Sequence, residues 1–240
     1  MPVFRTIACL VTLFLAPLAA RAEEPPPAGA AAIERYAATL DGERRAAAAF
    51  LLEHLPATDR DGLPVALFRE NLELAFSARE QYPWTRRLPR ELFFNDVLPH
   101  AVADETRDPW RRQLRDLFAP HLADCTNVCE VAAAVGSRIA TLTGVHYDTR
   151  REKACQSPAE SMRTGKASCT GLSILMVDAL RAAGVPARLV TIPLWGTREG
   201  NHTWVEVHDG ADWQASDFGG TPAGWNKGWA VARCAYCDPA

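Results

Sequence analysis

No sign of charge dominates this sequence. Its 26 Lys and Arg face 29 Asp and Glu, a formal net charge of −3. That excludes nucleic acid as the main partner, because phosphate binding needs a basic surface. Beyond residue 22 no apolar run is long enough to cross a bilayer. There is no internal repeat, no low-complexity block after residue 32 and no EF-hand spacing of carboxylates. Charged residues at 23% and apolar residues at 48% exclude a disordered polyampholyte and a collagen-like chain. A chain of 240 residues can bury a core without needing disulfides for stability.

What is present begins with an export signal. Arg5 precedes an uncharged run from Ile7 to Ala20, and Ala20-Arg21-Ala22 sets small residues two apart, the pattern a signal peptidase cuts after. The run is short for a membrane span. Pro17 and the segment Glu23-Glu24-Pro25-Pro26-Pro27 would end a buried helix poorly. Residues 1–22 therefore read as a signal peptide and Glu23 as the mature N-terminus. Cys9 lies inside the apolar run rather than after it, so no lipid anchor is expected. The protein is expected to be exported, periplasmic or secreted, with no membrane anchor.

Export governs the reading of the cysteines. Six follow the signal: Cys125, Cys129, Cys155, Cys169, Cys234 and Cys237. In an oxidising compartment most should pair, although spacing does not fix the connectivity. If one is kept as a reactive thiol, five remain, and a further thiol lacks an intramolecular partner. His121, Cys125 and Cys129 stand at steps of four and also resemble metal ligands, but a closed zinc site needs a fourth ligand from elsewhere. Packed free thiols are the third reading. Disulfides are the expectation; a cofactor or metal is not.

Organisation follows from periodicity and breakers. Residues 23–32 are rich in Pro, Ala and Gly and read as a flexible leader. Helical spacing predicts helices over 33–55, 65–82, 92–102, 108–122 and 127–143, with Asp108 as N-cap, Pro109 at the first helical position and Gly144 as a stop. Ser168 to Ala183 is the strongest helix, closed by Gly184 and Pro186. Three strands follow, at 187–193, 202–208 and 212–217; the middle one, HTWVEVH, alternates strictly. The fold class is α+β: a helical region over 33–145, then a core over 146–240 in which one central helix packs on an antiparallel sheet.

Cys169 carries the chemistry. It opens the strongest helix, after Gly165-Lys166-Ala167-Ser168. The positive end of a helix dipole and its unpaired N–H groups favour thiolate, and the same N–H groups can hold a developing oxyanion. A cysteine nucleophile also needs a base and a group to orient it. His202 heads the alternating strand and Asp217 ends the next, so an antiparallel pairing lays the two side chains opposite each other. His208 shares a strand face with His202, and Asp209 and Asp212 compete with Asp217, but those acids flank Gly210 and suit a hairpin turn.

Four segments, in order, resemble the transglutaminase-like cysteine superfamily, with its papain-like fold. They are Ala159 to Cys169 (AESMRTGKASC), Leu180 to Val190 (LRAAGVPARLV), Asn201 to Val207 (NHTWVEV) and Trp213 to Asp217 (WQASD). The resemblance covers about residues 150–220. It implies Cys169 as nucleophile, His202 as base and Asp217 as the orienting acid. It also implies cysteine-dependent acyl chemistry on amide bonds through a thioester. Water as acceptor would make a peptidase or amidase, and a Lys amine would make a cross-linking acyltransferase; the expected partner is a protein or peptide substrate. Two departures stand out: Ser168 stands where many relatives carry Asp or a similar polar residue beside Cys, and a second oxyanion donor is unassigned, with Gln156, Trp195 and Trp84 as candidates. The Trp residues of the C-terminal half (195, 204, 213, 225, 229) are candidates for lining an acyl cleft. The alternatives are a non-catalytic binding module that keeps the fold, and thiol–disulfide exchange through Cys234-Ala-Tyr-Cys237. The latter lacks the helix that usually follows a redox pair.

Overall fold

The computed structural model describes residues 26–195 and 200–227. The expected signal peptide, Trp229 and the Cys234–Cys237 pair lie outside these residues.

Six helices come first: α1 (Ala30–Ala37), α2 (Gly42–Glu53), α3 (Asp59–Gly62), α4 (Val65–Gln81), α5 (Pro83–Arg86) and α6 (Arg90–Asp96). Phe68, Leu72, Ala75 and Phe76 recur at helical steps along α4 and are buried. Pro64 precedes its first residue, and Pro83 forces Tyr82 out of the helical region, which ends it. The single helix expected over 33–55 is two, split by a turn whose Asp41 is extended. The expected flexible leader has structure from Pro27 onward. Ala28 bridges Pro64, Gly29 N–H donates to Leu63 O, and Val65 N–H donates to Pro27 O.

Next come α7 (Trp110–Phe118), α8 (Val128–Gly136) and α9 (Ile139–Thr143), then β1 (His146–Tyr147), α10 (Pro158–Thr164) and β2 (Lys166–Ala167). Pro109, rather than Asp108, is the N-cap of α7; the Asp108 carboxylate accepts from Ala159 N–H, tying the start of α7 to α10. Asn127 does cap α8, and Gly144 closes α9 in the left-handed region. The helix expected over 127–143 is thus divided between α8 and α9. The sequence reading missed α10, although Ser157 and Glu160 form a full capping box around Pro158.

Then come α11 (Cys169–Ala182), β3 (Ala187–Ile192), β4 (His202–His208) and β5 (Trp213–Ser216). β1 and β2 pair in parallel, and β3-β4-β5 form an antiparallel sheet in that order. Every residue of α11 from Gly171 to Ala182 is buried, and Val205 and Val207 of β4 are fully buried in the same cluster as Leu175 and Met176. The molecule is α+β.

Two apolar clusters form. One holds residues of 33–98, among them Phe68, Leu72 and Phe93. The other gathers Trp110, Leu114, Phe118, Val131 and Val135 with α11 and the sheet. Among the described residues the site-bearing cluster also takes Ala78, Tyr82 and Trp84 from the end of α4 and from α5, so the two clusters interleave along the chain, and α7 to α9 pack with the core that carries the site rather than with the helices before Leu98.

Candidate active site

Ser168 sets the start of α11. Its hydroxyl accepts from Gly171 N–H at 3.0 Å and donates to Ala154 O at 2.7 Å. The cap leaves Cys169 as the first residue of α11, with unpaired helical N–H groups around it. β4 is pinned to this same turn. Thr203 Oγ1 lies 3.0 Å from Thr170 Oγ1, and Ser173 Oγ donates to Thr203 O at 3.3 Å. Anchoring Thr203 brings His202, the first residue of β4, to the thiol.

The Cys169 thiol is hydrogen-bonded to the His202 ring, and main-chain N–H groups of Thr203 and Thr170 also face the sulfur. The imidazole bond is the largest influence, and it pulls the thiol from 9.0 down to about 7 against the opposing effect of burial. His202 Nε2 lies 3.4 Å from Asp217 Oδ1. That carboxylate, followed by the Cys169 thiolate, raises the imidazole from 6.5 to about 9. The three residues singled out in the sequence are thus in one hydrogen-bonded chain.

Asp217 reaches His202 differently than expected. The β4–β5 ladder pairs Val205 with Ser216, so Asp217 stands level with Trp204 and meets His202 diagonally. Phe218 and the turn Asp217–Gly220, closed by Gly220 N–H donating to Asp217 O at 2.8 Å, hold the carboxylate beyond the end of β5. Trp204 stacks beside the His202 ring at 6.2 Å between centroids.

The other described cysteines are shifted in the opposite direction. Cys125 and Cys129 are pushed up by burial and neighbouring acids. Cys155 goes up to about 12 through burial and its bond to Asp104. Cys125, Cys129, Cys155 and Cys169 are all free thiols, so the expected disulfides do not form among the described residues. Physically, Cys155 is engaged by a carboxylate, and Cys125 lies in the loop ahead of α8 rather than one helical turn below Cys129.

Cys169, His202 and Asp217 open into a cleft of about 640 Å³ that also involves His146, Tyr147, Leu172, Asn201 and Phe218. Tyr147, Asn201, Thr203 and Phe218 were not singled out in the sequence. Only Thr203 had a local signal, as the residue between His202 and Trp204. Of the proposed oxyanion donors, Gln156 Nε2 is spent on Lys166 O and Thr164 Oγ1, and Trp84 Nε1 donates to Ala183 O at the far end of α11. Trp195 is buried and does not line the cleft. Nor do the other described tryptophans of the C-terminal half: Trp213 lines a separate cleft with His208 and Asp209, and Trp225 is in the core. His208, the rival base, stacks edge-on against Trp213 there, and Asp209 caps its own turn by accepting from Ala211 and Asp212 N–H. No helix among the described residues is long and apolar enough to cross a membrane.

The chain is similar to a crystal structure from Cytophaga hutchinsonii named as a candidate cysteine protease. The identity is 18% and the TM-score 0.43, over 59% of this chain and 47% of that one, so this chain spans about half that protein's length. No curated protein matches it. The model of the transglutaminase-like superfamily matches residues 116–218, a span that runs from α7 to just past Asp217 and contains all three members of the hydrogen-bonded chain. Over residues 116–218 this chain is similar to the transglutaminase-like superfamily.

Proposed function

We propose that this protein is a cysteine hydrolase of amide bonds, a peptidase or amidase, acting through Cys169, His202 and Asp217. The observation that carries the reading is the hydrogen-bonded chain from the thiol at the start of α11 through the imidazole to the carboxylate. The Cys169 thiolate attacks the carbonyl carbon, and the oxygen takes the negative charge beside the N–H groups that begin α11. His202, protonated, gives its proton to the leaving amine as the C–N bond breaks, leaving a thioester. His202 then takes a proton from water as the water attacks, and the acid and the thiol are released.

Water is the acceptor we favour over a Lys amine. The Asp217 side chain is 41% exposed, so solvent reaches the triad. An acyltransferase must instead keep water from its thioester. We also propose that the enzyme works after export, with residues 1–22 removed; the mass of the mature protein should then correspond to a start at Glu23.

The test is activity on a panel of peptides and glutamine amides, with Cys169→Ala alongside. Wild type should release amine, and Cys169→Ala should lose at least about a thousandfold in rate. Wild type inert on the whole panel, with Cys169 no more reactive to iodoacetamide than an ordinary thiol, would leave the binding module as the better reading.

A further inference from the structure

The cleft beside Cys169 is bordered by an unpaired strand edge. In the parallel pair, His146 N–H donates to Gly165 O and Asp148 N–H to Ala167 O, each at 3.0 Å. Main-chain groups of successive residues on a strand point to opposite sides. With His146 and Asp148 turned to β2, the N–H and C=O of Tyr147 face off the other edge. Among the described residues neither has a hydrogen-bond partner. Tyr147 is 63% exposed. It is level with Ala167, two residues from Cys169, and it lines the same cleft.

The rest of the cleft is short of charge. Ala140, Leu172 and Phe218 give it apolar walls, Ser173 and Asn201 are neutral, His146 is the one further ionisable group beside Cys169, His202 and Asp217 among the described residues, and no Lys or Arg among them lines it. Among the described residues it has no Lys or Arg to grip a free carboxylate, as recognition of a single amino acid or its amide would use. An unpaired donor and acceptor on one residue suit main-chain recognition, in which an added strand supplies the hydrogen bonds and pockets sort the side chains.

We propose that Tyr147 is a main-chain clamp: its N–H and C=O pair with one residue of an extended polypeptide and lay the adjoining carbonyl on Cys169. The proposal rests on the nucleophilic reading of Cys169 and narrows its substrate to polypeptide segments with uncharged side chains near the scissile bond, excluding small free amides. If the added strand runs antiparallel to β1, a single ligand residue exchanges both bonds with Tyr147 and its immediate neighbours exchange none.

The probe is acetyl-Ala-Ala-Leu chloromethyl ketone, whose reactive carbon alkylates the thiolate with loss of chloride, and its series of singly N-methylated forms. Iodoacetamide, which needs no peptide recognition, is run on the same full-length protein. The clamp predicts that the peptide ketone alkylates Cys169 at least about tenfold faster than N-acetyl-leucine chloromethyl ketone. It also predicts that N-methylation at one position, and not at its neighbours, removes about tenfold. Tyr147→Ala, which keeps the main chain, should leave both ratios within about threefold. Equal rates for the long and short ketones, or indifference to N-methylation at every position, overturn the clamp while iodoacetamide still reports a reactive Cys169. A Cys169 that iodoacetamide does not modify preferentially overturns the nucleophilic reading itself, and the clamp with it.

Discussion

At the scale of single residues, the site is an acid–base pair with its order inverted. An isolated thiol loses its proton above an isolated imidazole, yet here Cys169 sits at about 7 and His202 at about 9. Between those values the pair is thiolate and imidazolium, the form that attacks and then protonates the leaving amine. Alkylation of Cys169 by iodoacetamide should therefore rise with a midpoint near pH 7, and hydrolysis should follow a bell falling away near pH 9. Cys155, held up at about 12, is an internal control that should stay unmodified across that range. The signs for stability follow the same shifts. The depressed Cys169 contributes stability at alkaline pH that is lost as pH falls from 9 through 7. The raised His202 contributes stability below 6.5 that is lost as pH rises through 9. Asp217→Asn removes the largest influence holding the imidazolium. Its cation then dissociates at lower pH, Cys169 loses its main stabilising bond, and the alkylation midpoint moves up toward 9. Hydrolysis should drop roughly a hundredfold. A midpoint still near 7 in Asp217→Asn would remove Asp217 from the chain of influence.

At the scale of elements, what placed Asp217 is a contact that no periodicity records. The last residue of α8, Gly136, packs so closely on the turn after β5 that a Cβ there would lie 2.2 Å from Gly220 O. Gly136→Ala must push the Asp217–Gly220 turn away from the sheet. We expect its kcat to fall while the iodoacetamide midpoint shifts upward as in Asp217→Asn, a signature that simple loss of stability would not produce. Unchanged kinetics would mean that the turn adapts. The same contrast explains what was legible in advance. The strict alternation of HTWVEVH gave β4 to the residue, and Ser168, Gly184 and Pro186 bounded α11, because caps and two-residue periods are local signals. Cys169, His202 and Asp217 were legible because they sit at the ends of those elements. Tyr147 and Phe218 were not, since Tyr147 is placed by its pairing with Ala167 and Phe218 by packing on the apolar core. β1 and β2 are two residues long, too short for any alternation to show. The runs 33–55 and 127–143 read as continuous helices because their apolar steps continue across a turn that only the tertiary contacts reveal.

At the scale of the whole molecule, the N-terminal helices are fastened to the helix that bears Cys169. Thr85 Oγ1 donates to Gly184 O and Trp84 Nε1 to Ala183 O, each at 2.8 Å, so α5 caps the C-terminal end of α11. A Cβ on Gly184, which has φ +74°, would fall 2.1 Å from Thr85 Oγ1, so the junction admits only glycine there. Arg111 of α7 is the second fastening. It is 2% exposed. Its guanidinium donates to Asn71 Oδ1 in α4, to Val97 and Pro99 O after α6, and to Arg181 O in α11. Asp178, fully buried on α11, is drawn to the positive charge of Arg181 and Arg111, while burial pushes its carboxyl well above the usual range. Replacing Arg111 by Met fills the space but strands four acceptors from three parts of the chain and removes one of two cations near a buried acid. The expected cost is about 3–5 kcal/mol, a fall in Tm of roughly 10 °C. Arg112, one residue on, is more than half exposed and pairs with Glu70 at the surface. Arg112→Met should leave the Tm within about 2 °C, because exposed pairs contribute little. A small Arg111→Met effect, comparable to that of Arg112→Met in the same melt, would mean that the two apolar clusters hold together without this arginine. If the junction does depend on it, loosening in Arg111→Met should also reach the site along α11, and the alkylation rate of Cys169 should fall at temperatures well below the melt.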